Sequence, residues 1–392
     1  MTELLIIGPR DEHVARLHRA LSAHDQNWSV VHSADAQAAL DRMVRRSADV
    51  VISCLATAEE CEQLFAKVVP CAAGAIRVAL LQSPATTVRG AHQTLSARTA
   101  TEELVPMLAA AAKVAKEMSR SQAMQKIMAQ FQEVPSPPQL YFDIRDELEG
   151  INGTPESLAR IAGRDPALVA RVLRVANSGF YARPRKVVNL ADAISLLGTD
   201  AFLGLVLAAH LYAGLPPPGL RLDRLWEHAF EVSTLAQSIC RLEGGDRKAS
   251  SDCLIAGLLH DIGLLVLLQN EPGLYQPLLM RSAGDEGELV RLEQETFGLD
   301  HGQLGAMILE LWNLSAGVVT AVAHSHALAE PRPDDSTASI IQRSVMAAEC
   351  LLDNRPSMET GQQPQELESI PEAAIQRWVD ARNQLGFSGS VA

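Results

Sequence analysis

His260 and Asp261 stand side by side inside the apolar run 255–268. Burying two adjacent ionisable groups costs several kcal/mol unless something pairs with them. A His–Asp hydrogen bond in a helix core would serve. So would a divalent cation, which takes imidazole nitrogen and carboxylate oxygen together and offsets the desolvation of both. The remaining histidines bear on the choice because they cluster. His228 lies upstream in Leu225-Trp226-Glu227-His228, and Asp300-His301 opens a later segment. His324 and His326 close an apolar helix carrying Val318, Val319 and Val322, and Glu349 follows in Ala347-Ala348-Glu349-Cys350. Such a mixed nitrogen and oxygen set suits Fe, Mn or Zn. His13, His18, His24 and His32 fall outside this pattern and read as surface or packing residues.

A histidine, then His-Asp, then a distant acid resembles the HD superfamily of metal-dependent phosphohydrolases. The fuller pattern, from 134 to about 353, resembles its HDOD branch, which is related to the HD-GYP phosphodiesterases. Its supports are Pro135 and Pro138, Arg164-Asp165-Pro166-Ala167-Leu168, Leu173, Ala176-Asn177-Ser178, Ile194-Ser195-Leu196-Leu197-Gly198, Trp226-Glu227-His228, His260-Asp261-Ile262-Gly263, Asp300-His301 and His324. The resemblance implies an all-α domain with one metal held by His228, His260, Asp261 and Glu349; the family usually has Asp at the last position. It also implies a second metal position, used by relatives that hydrolyse cyclic-di-GMP, matched here by His301 and His324. The relatives' adjacent His-His is His324-Ser325-His326 here. Residues two apart on a helix point to nearly opposite faces, so His326 is expected to leave the site unless the helix ends there.

Two departures weigh against catalysis. The hydrolases carry a lysine just after His-Asp-x-Gly, and here that residue is Leu264. Their downstream Gly-Tyr-Pro is replaced by Ala327-Leu328-Ala329-Glu330-Pro331. Phosphodiester hydrolysis needs a metal-activated water and a clamp on the developing phosphoryl charge. The sequence keeps ligands for the first and loses much of the second, so no residue is assigned a catalytic role.

The elements that must position this cluster follow from patterning. At 392 residues the chain should hold two or three domains. A 47% hydrophobic content with only 4% aromatic favours Ala- and Leu-rich helices. The net charge of −13 disfavours a broad nucleic-acid footprint; a local basic patch, such as Arg183, Arg185 and Lys186, is compatible with it. The six cysteines form no C-x-x-C pair, which suits a reduced, cytoplasmic protein. The first residues lack a basic n-region, and no apolar run approaches bilayer length, so neither a signal peptide nor a membrane span is expected.

Residues 4–7, 30–31, 49–53 and 77–81 read as buried strands, alternating with helices over 11–21, 35–44 and 58–68. That alternation argues for a parallel sheet covered on both faces. The segment resembles a response-regulator receiver domain, with the phrase Ala91-His92-Gln93-Thr94-Leu95-Ser96 near its end, which implies a doubly wound five-stranded sheet over 1–117. Receivers phosphorylate an aspartate after the third strand, beside acidic Mg²⁺ ligands and a later lysine. Here the acceptor position is Cys54, strand one is followed by Gly8-Pro9, and the lysine position falls near Ala97 or Arg98. Asp11 and Glu12 sit where a helix begins, which suits its positive end. Ser83 stands where the switch hydroxyl would be. A pseudo-receiver, not phosphorylated on aspartate, is therefore expected.

A long helical pattern over 104–133 (Leu104, Met107, Leu108, Ala111, Val114, Met118, then Met124, Ile127, Met128, Phe131) joins the two domains, with a possible break at Ser119–Ser121. It fits either a helix packed on its own domain or a homodimer seam. The HDOD domain is expected over 134–355, with Pro216-Pro217-Pro218-Gly219 separating two helical subdomains, and 356–392 as a polar tail with one short helix from about 371 to 385. The expected function is a non-catalytic signalling protein in which the receiver-like domain is coupled to an HDOD domain that binds a protein partner or a small ligand. The alternatives are a metal-dependent phosphohydrolase of low activity and a cyclic-dinucleotide sensor that does not cleave its ligand.

Overall fold

The computed structural model describes residues 2–82, 88–131, 134–149, 153–181, 185–212, 221–326, 337–352 and 371–386. Ser83, Arg183, Asp353 and the stretches 216–219, 327–331 and 356–370 lie outside the described residues.

The N-terminal unit alternates β1 (Thr2–Ile7), α1 (Glu12–His24), β2 (Trp28–Ser33), α2 (Ala36–Arg45), β3 (Val50–Ser53), α3 (Ala58–Cys71), β4 (Ile76–Leu81) and β5 (Gln93–Ser96), then α4 (Thr101–Met118). Every strand pairing is parallel, in the order β2-β1-β3-β4-β5. Leu4 pairs with Val30 on one side and Val50 on the other. This is the doubly wound order in which the strand sequence reverses between β1 and β3, compatible with a receiver-like fold. Side chains alternate across the sheet. Leu4, Ile6, Val50, Ile52 and Val78 face α1 and α4, whereas Leu5, Ile7, Val51 and Ala79 face α2 and α3. The helices start where side chains cap them: Asp11 accepts from the Val14 N–H, Asp35 from Ala38, and Thr57 with Glu60 forms a reciprocal box.

The connector is two helices rather than one. α4 stops at Met118, and Ser121 caps α5 (Gln122–Gln130) by accepting from Met124 N–H. Leu104, Met107, Leu108, Ala111, Val114, Met118, Ile127, Met128 and Phe131 are all buried within the chain. The stripe that the sequence offers as a dimer seam is thus covered by the chain's own core.

The helical unit comprises α6 (Gln139–Glu149), α7 (Pro155–Ala162), α8 (Pro166–Ala176), α9 (Leu190–Leu197), α10 (Thr199–Leu211), α11 (Leu222–Leu242), α12 (Arg247–Leu259), α13 (Ile262–Asn270), α14 (Pro272–Ser282), α15 (Glu286–Phe297), α16 (His301–Leu311), α17 (Ala316–Ala323), α18 (Thr337–Leu352) and α19 (Glu372–Leu385). Asp165 caps α8, with Pro166 in its first turn. The stretch Arg247–Asn270 is long and apolar enough to cross a membrane by composition alone, and its most apolar 18-residue window is wholly buried in the core.

One hydrophobic cluster runs from the α4 side of the sheet into these helices. Polar contacts reinforce the junction. Gln93 Nε2 donates to Leu311 O at 2.7 Å, Trp312 Nε1 to Pro135 O at 3.0 Å, and Lys113 Nζ lies 2.7 Å from Glu310 Oε2. The last turn of α16 therefore rests on the β5 edge of the sheet.

Candidate metal centre

Four helical segments bring the cluster together. α12 runs apolar to Leu259 and delivers His260 at its C-terminal end, and Asp261 follows where the chain turns into α13. α11 contributes His228, the first residue of α16 is His301, and α18 supplies Glu349. α11, α12 and α18 pack on one another, and α13 packs on α16.

Asp261 is at the centre. Its Oδ1 lies 3.2 Å from His260 Nε2, 3.6 Å from His301 Nε2 and 3.7 Å from His326 Nε2. Glu349 reaches the other side of His260, with Oε2 3.4 Å from His260 Nε2 and Oε1 3.2 Å from His228 Nε2. Glu286 Oε1 lies 3.3 Å from His301 Nε2 and 3.5 Å from His326 Nδ1. The ligand atoms form two groups, His228–His260–Asp261 and Asp261–His301–His326, each within 4.8 Å, and Asp261 belongs to both.

These atoms face a common space rather than one another. His260 Nε2, His301 Nε2, both ring nitrogens of His326, Glu286 Oε1 and Glu349 Oε2 are buried and have no aligned hydrogen-bond partner. Buried polar atoms are nearly always paired, so so many converging at one point mark a place for a cation. The outer contacts leave the right lone pairs free. His260 Nδ1 meets Gly257 O at 2.8 Å, and His301 Nδ1 meets Glu293 Oε2 at 2.8 Å. A proton held on each Nδ1 turns Nε2 inward as a ligand. Glu293 is itself oriented by the Tyr275 hydroxyl and by the His301 N–H at 2.9 Å. A mixed imidazole and carboxylate set of this kind fits Fe, Mn or Zn.

Electrostatics agree with the geometry. Burial and the carboxylates of Asp261, Glu349 and Glu293 push Glu286 up to about 8, against the pull of His301. Burial disfavours a charged His228, but Glu349 beside it prevails and raises it to about 10. His301 is raised in the same way by Glu293, while burial and the neighbouring His301 lower His326. Burial works against a charged Glu349, yet His228 and His260 hold its carboxyl well below the usual carboxylate range. Carboxylates crowded this closely call for positive charge.

Of the residues that the sequence offers, His228, His260, Asp261, Glu349 and His301 are brought together, and His324 is not. His324 caps α17 and joins neither ligand group; His326 does. The reason is the exception allowed for above: α17 stops at Ala323, so the helical rule for residues two apart no longer governs. Glu286 and Glu293 were missed. They lie seven apart on α15, flanking the buried Leu289 and Val290, and acids on an otherwise buried stripe were the available signal.

In the N-terminal unit, Cys54 follows β3, and its N–H donates to Ile7 O at 2.7 Å. Burial and Asp11 push its thiol up to about 12.

A helical domain gathering histidines and acids about an adjacent His-Asp pair defines the HD class. More narrowly, the HDOD domain family matches residues 134–328, and this part of the chain is an HDOD domain. The solved structure of an HDOD domain protein of unknown function from Geobacter sulfurreducens aligns with a TM-score of 0.50 and 21% identity, covering 69% of this chain and 98% of that one. A response-regulator fragment from Methylococcus capsulatus aligns at 27% identity with a TM-score of 0.35, covering 61% of this chain and 88% of that one. An uncharacterized protein of Treponema pallidum is 21% identical over 196 residues, 50% of this chain and 38% of that protein's length.

Proposed function

We propose that this chain is a signalling protein that does not hydrolyse phosphodiesters: a receiver-like unit without an aspartyl acceptor, docked on an HDOD domain that holds metal and engages a protein partner. What supports the absence of hydrolysis is the charge around the cluster. Among the described residues, the carboxylates of Asp261, Glu286, Glu293 and Glu349 pair only with histidines, and no Lys or Arg joins them. The residue after His-Asp-Ile-Gly is the buried Leu264. A phosphoryl group would meet carboxylates and leucine where a clamp requires cations.

His228, His260, Asp261 and Glu349 would hold one ion, and Asp261, His301, His326 and Glu286 a second. When bound, such ions act as Lewis acids and acidify coordinated water. Glu293 keeps the His301 ring oriented, and Gly257 O does the same for His260. A second reading, a weak phosphohydrolase, is favoured by one observation: Asp261 is shared between the two groups, as in sites that clamp both oxygens of a displacement.

Elemental analysis of the untagged protein beside Asp261→Ala, followed by turnover assays with cyclic-di-GMP and a chromogenic phosphodiester under Mn²⁺ and Fe²⁺, tests both. Metal present in the parent, absent from Asp261→Ala, and no product supports the proposal. Turnover that disappears with Asp261→Ala replaces it with the hydrolase reading.

A further inference from the structure

A second cavity, of about 350 Å³, opens where α12 begins. Its walls come from the segment after α8 (Phe180, Tyr181), from α11 (Gln237, Arg241) and from the start of α12 (Arg247, Ser250). The His/acid cluster is at the opposite end of α12, and thirteen residues of helix separate them by about 20 Å. The volume falls at the small end of the range for small-molecule sites.

Three features of these walls point to a ligand. Arg241 and Arg247 make no ion pair among the described residues, although the chain carries a net charge of −13. Burial raises the Tyr181 pKa, and the Gln237 amide and both guanidiniums, which lie near its hydroxyl, offset only part of that rise. The second feature is aromatic: Phe180 and Tyr181 meet edge to face at 4.8 Å, and the Arg241 guanidinium lies 4.3 Å from the Phe180 ring centre. The third is Gln237. It is 2% exposed; its Nε2 donates to Ser250 O at 3.2 Å and its amide also hydrogen-bonds the Tyr181 side chain, but its Oε1 has no partner. A buried acceptor without a donor costs free energy in the empty cavity. Asp246 also lines the space, but its Oδ1 accepts from Ala249 N–H at 2.8 Å as the cap of α12. Gly198, with φ of +89°, makes room for the Arg247 side chain: a Cβ there would stand 3.2 Å from Nη2.

We propose that this cavity binds a purine nucleotide. The phosphate would sit between Arg241 and Arg247, the base would stack on the Phe180–Tyr181 surface, and an N–H of the base edge would reach Gln237 Oε1. Arginine forks recognise phosphate, aromatic faces stack bases of any identity, and the lone acceptor selects a base that donates. This site is separate from the metal cluster and stands whether or not that cluster binds an ion.

The test is titration calorimetry of the full chain in EDTA with GMP, AMP, guanosine and inorganic phosphate, repeated on Arg241→Ser/Arg247→Ser and on Asp261→Ala. Both arginines are exposed at the surface, so the double variant should fold, and a thermal melt checks it. Expected are saturable binding of GMP or AMP, a loss of about tenfold or more in affinity in the double arginine variant, weaker binding of guanosine and of phosphate alone, and unchanged affinity in Asp261→Ala. No binding of either nucleotide by the folded protein overturns the proposal. So does binding that survives the arginine substitutions, or that disappears with Asp261→Ala, which would place the ligand in the metal cluster. Phosphate binding as tightly as GMP would reduce the site to a bare anion site and overturn the nucleotide assignment.

Discussion

Gly263 and His301 are in backbone contact: a Cβ added to Gly263 would stand 1.9 Å from His301 O, and 2.8 Å from Gly305 N. The start of α13 lies directly on the first turn of α16, and this contact brings Asp261, two residues before Gly263, to the His301 ring. The obstacles are backbone atoms and cannot swing aside. Gly263→Ala is therefore expected to cost about 3 kcal/mol or more, the upper range for overpacking, and to separate the two ligand groups. Urea unfolding measures the first effect. Metal retained at parental stoichiometry would contradict the second.

The geometry of the cluster predicts a graded response to substitution. Asp261 belongs to both ligand groups, His326 to one and His324 to neither. With two ions in the parent, His326→Ala should retain one, Asp261→Ala none, and His324→Ala both. Added Mn²⁺ should raise the melting temperature of the parent, since binding at a hundredfold excess over Kd is worth about 2.7 kcal/mol, and should not move that of Asp261→Ala. A parental response from Asp261→Ala would remove it from the site.

The junction between the two units offers a contrast in magnitude. Gln93→Ala leaves the buried Leu311 carbonyl without its 2.7 Å donor and should cost about 1–3 kcal/mol. Lys113→Ala breaks a pair whose lysine is 52% exposed and should cost less than about 1 kcal/mol. Denaturant unfolding of the two variants should rank them in that order.

His92 predicts a pH dependence outside the metal cluster. Burial and the Arg77 guanidinium hold its pKa well below 6.5. Its Nδ1 accepts from the Arg77 N–H at 3.1 Å, and Nε2 lies 3.0 Å from Met128 O on α5. Below pH 6.5 the unfolded chain takes up a proton that the fold refuses, so this contribution is complete above that pH and is lost as pH falls. Subtracting the stability curve of His92→Asn from that of the parent should leave an acid limb of up to about 1.4 kcal/mol per pH unit. A flat difference between pH 6.5 and 5 would show that the folded state accepts the proton.

Local pattern carried most of the fold. The runs at 4–7, 50–52 and 78–81 are apolar throughout because these strands are covered on both faces, and the sheet places them side by side. β5 escaped because Gln93, Thr94 and Ser96 are polar, and their burial depends on α16 and its surroundings. Site residues adjacent to a motif, such as His260 and Asp261, were legible. Glu286 and Glu293 were harder to read, since their place on the apolar stripe of α15 does not say that this stripe turns toward α16. The place of His326 hung on where α17 ends, which the sequence pattern alone does not fix.

The unpaired atoms around Asp261 also carry a lesson about sequence drift. Leucine and methionine of matching volume in place of those histidines and acids would relieve the desolvation that the folded chain now bears, and such exchanges are often neutral or stabilising. Stability by itself therefore gives no reason to keep these side chains where they are. A version of this domain released from any duty at the cluster would be expected to fill the space with hydrocarbon, and this chain has not done so.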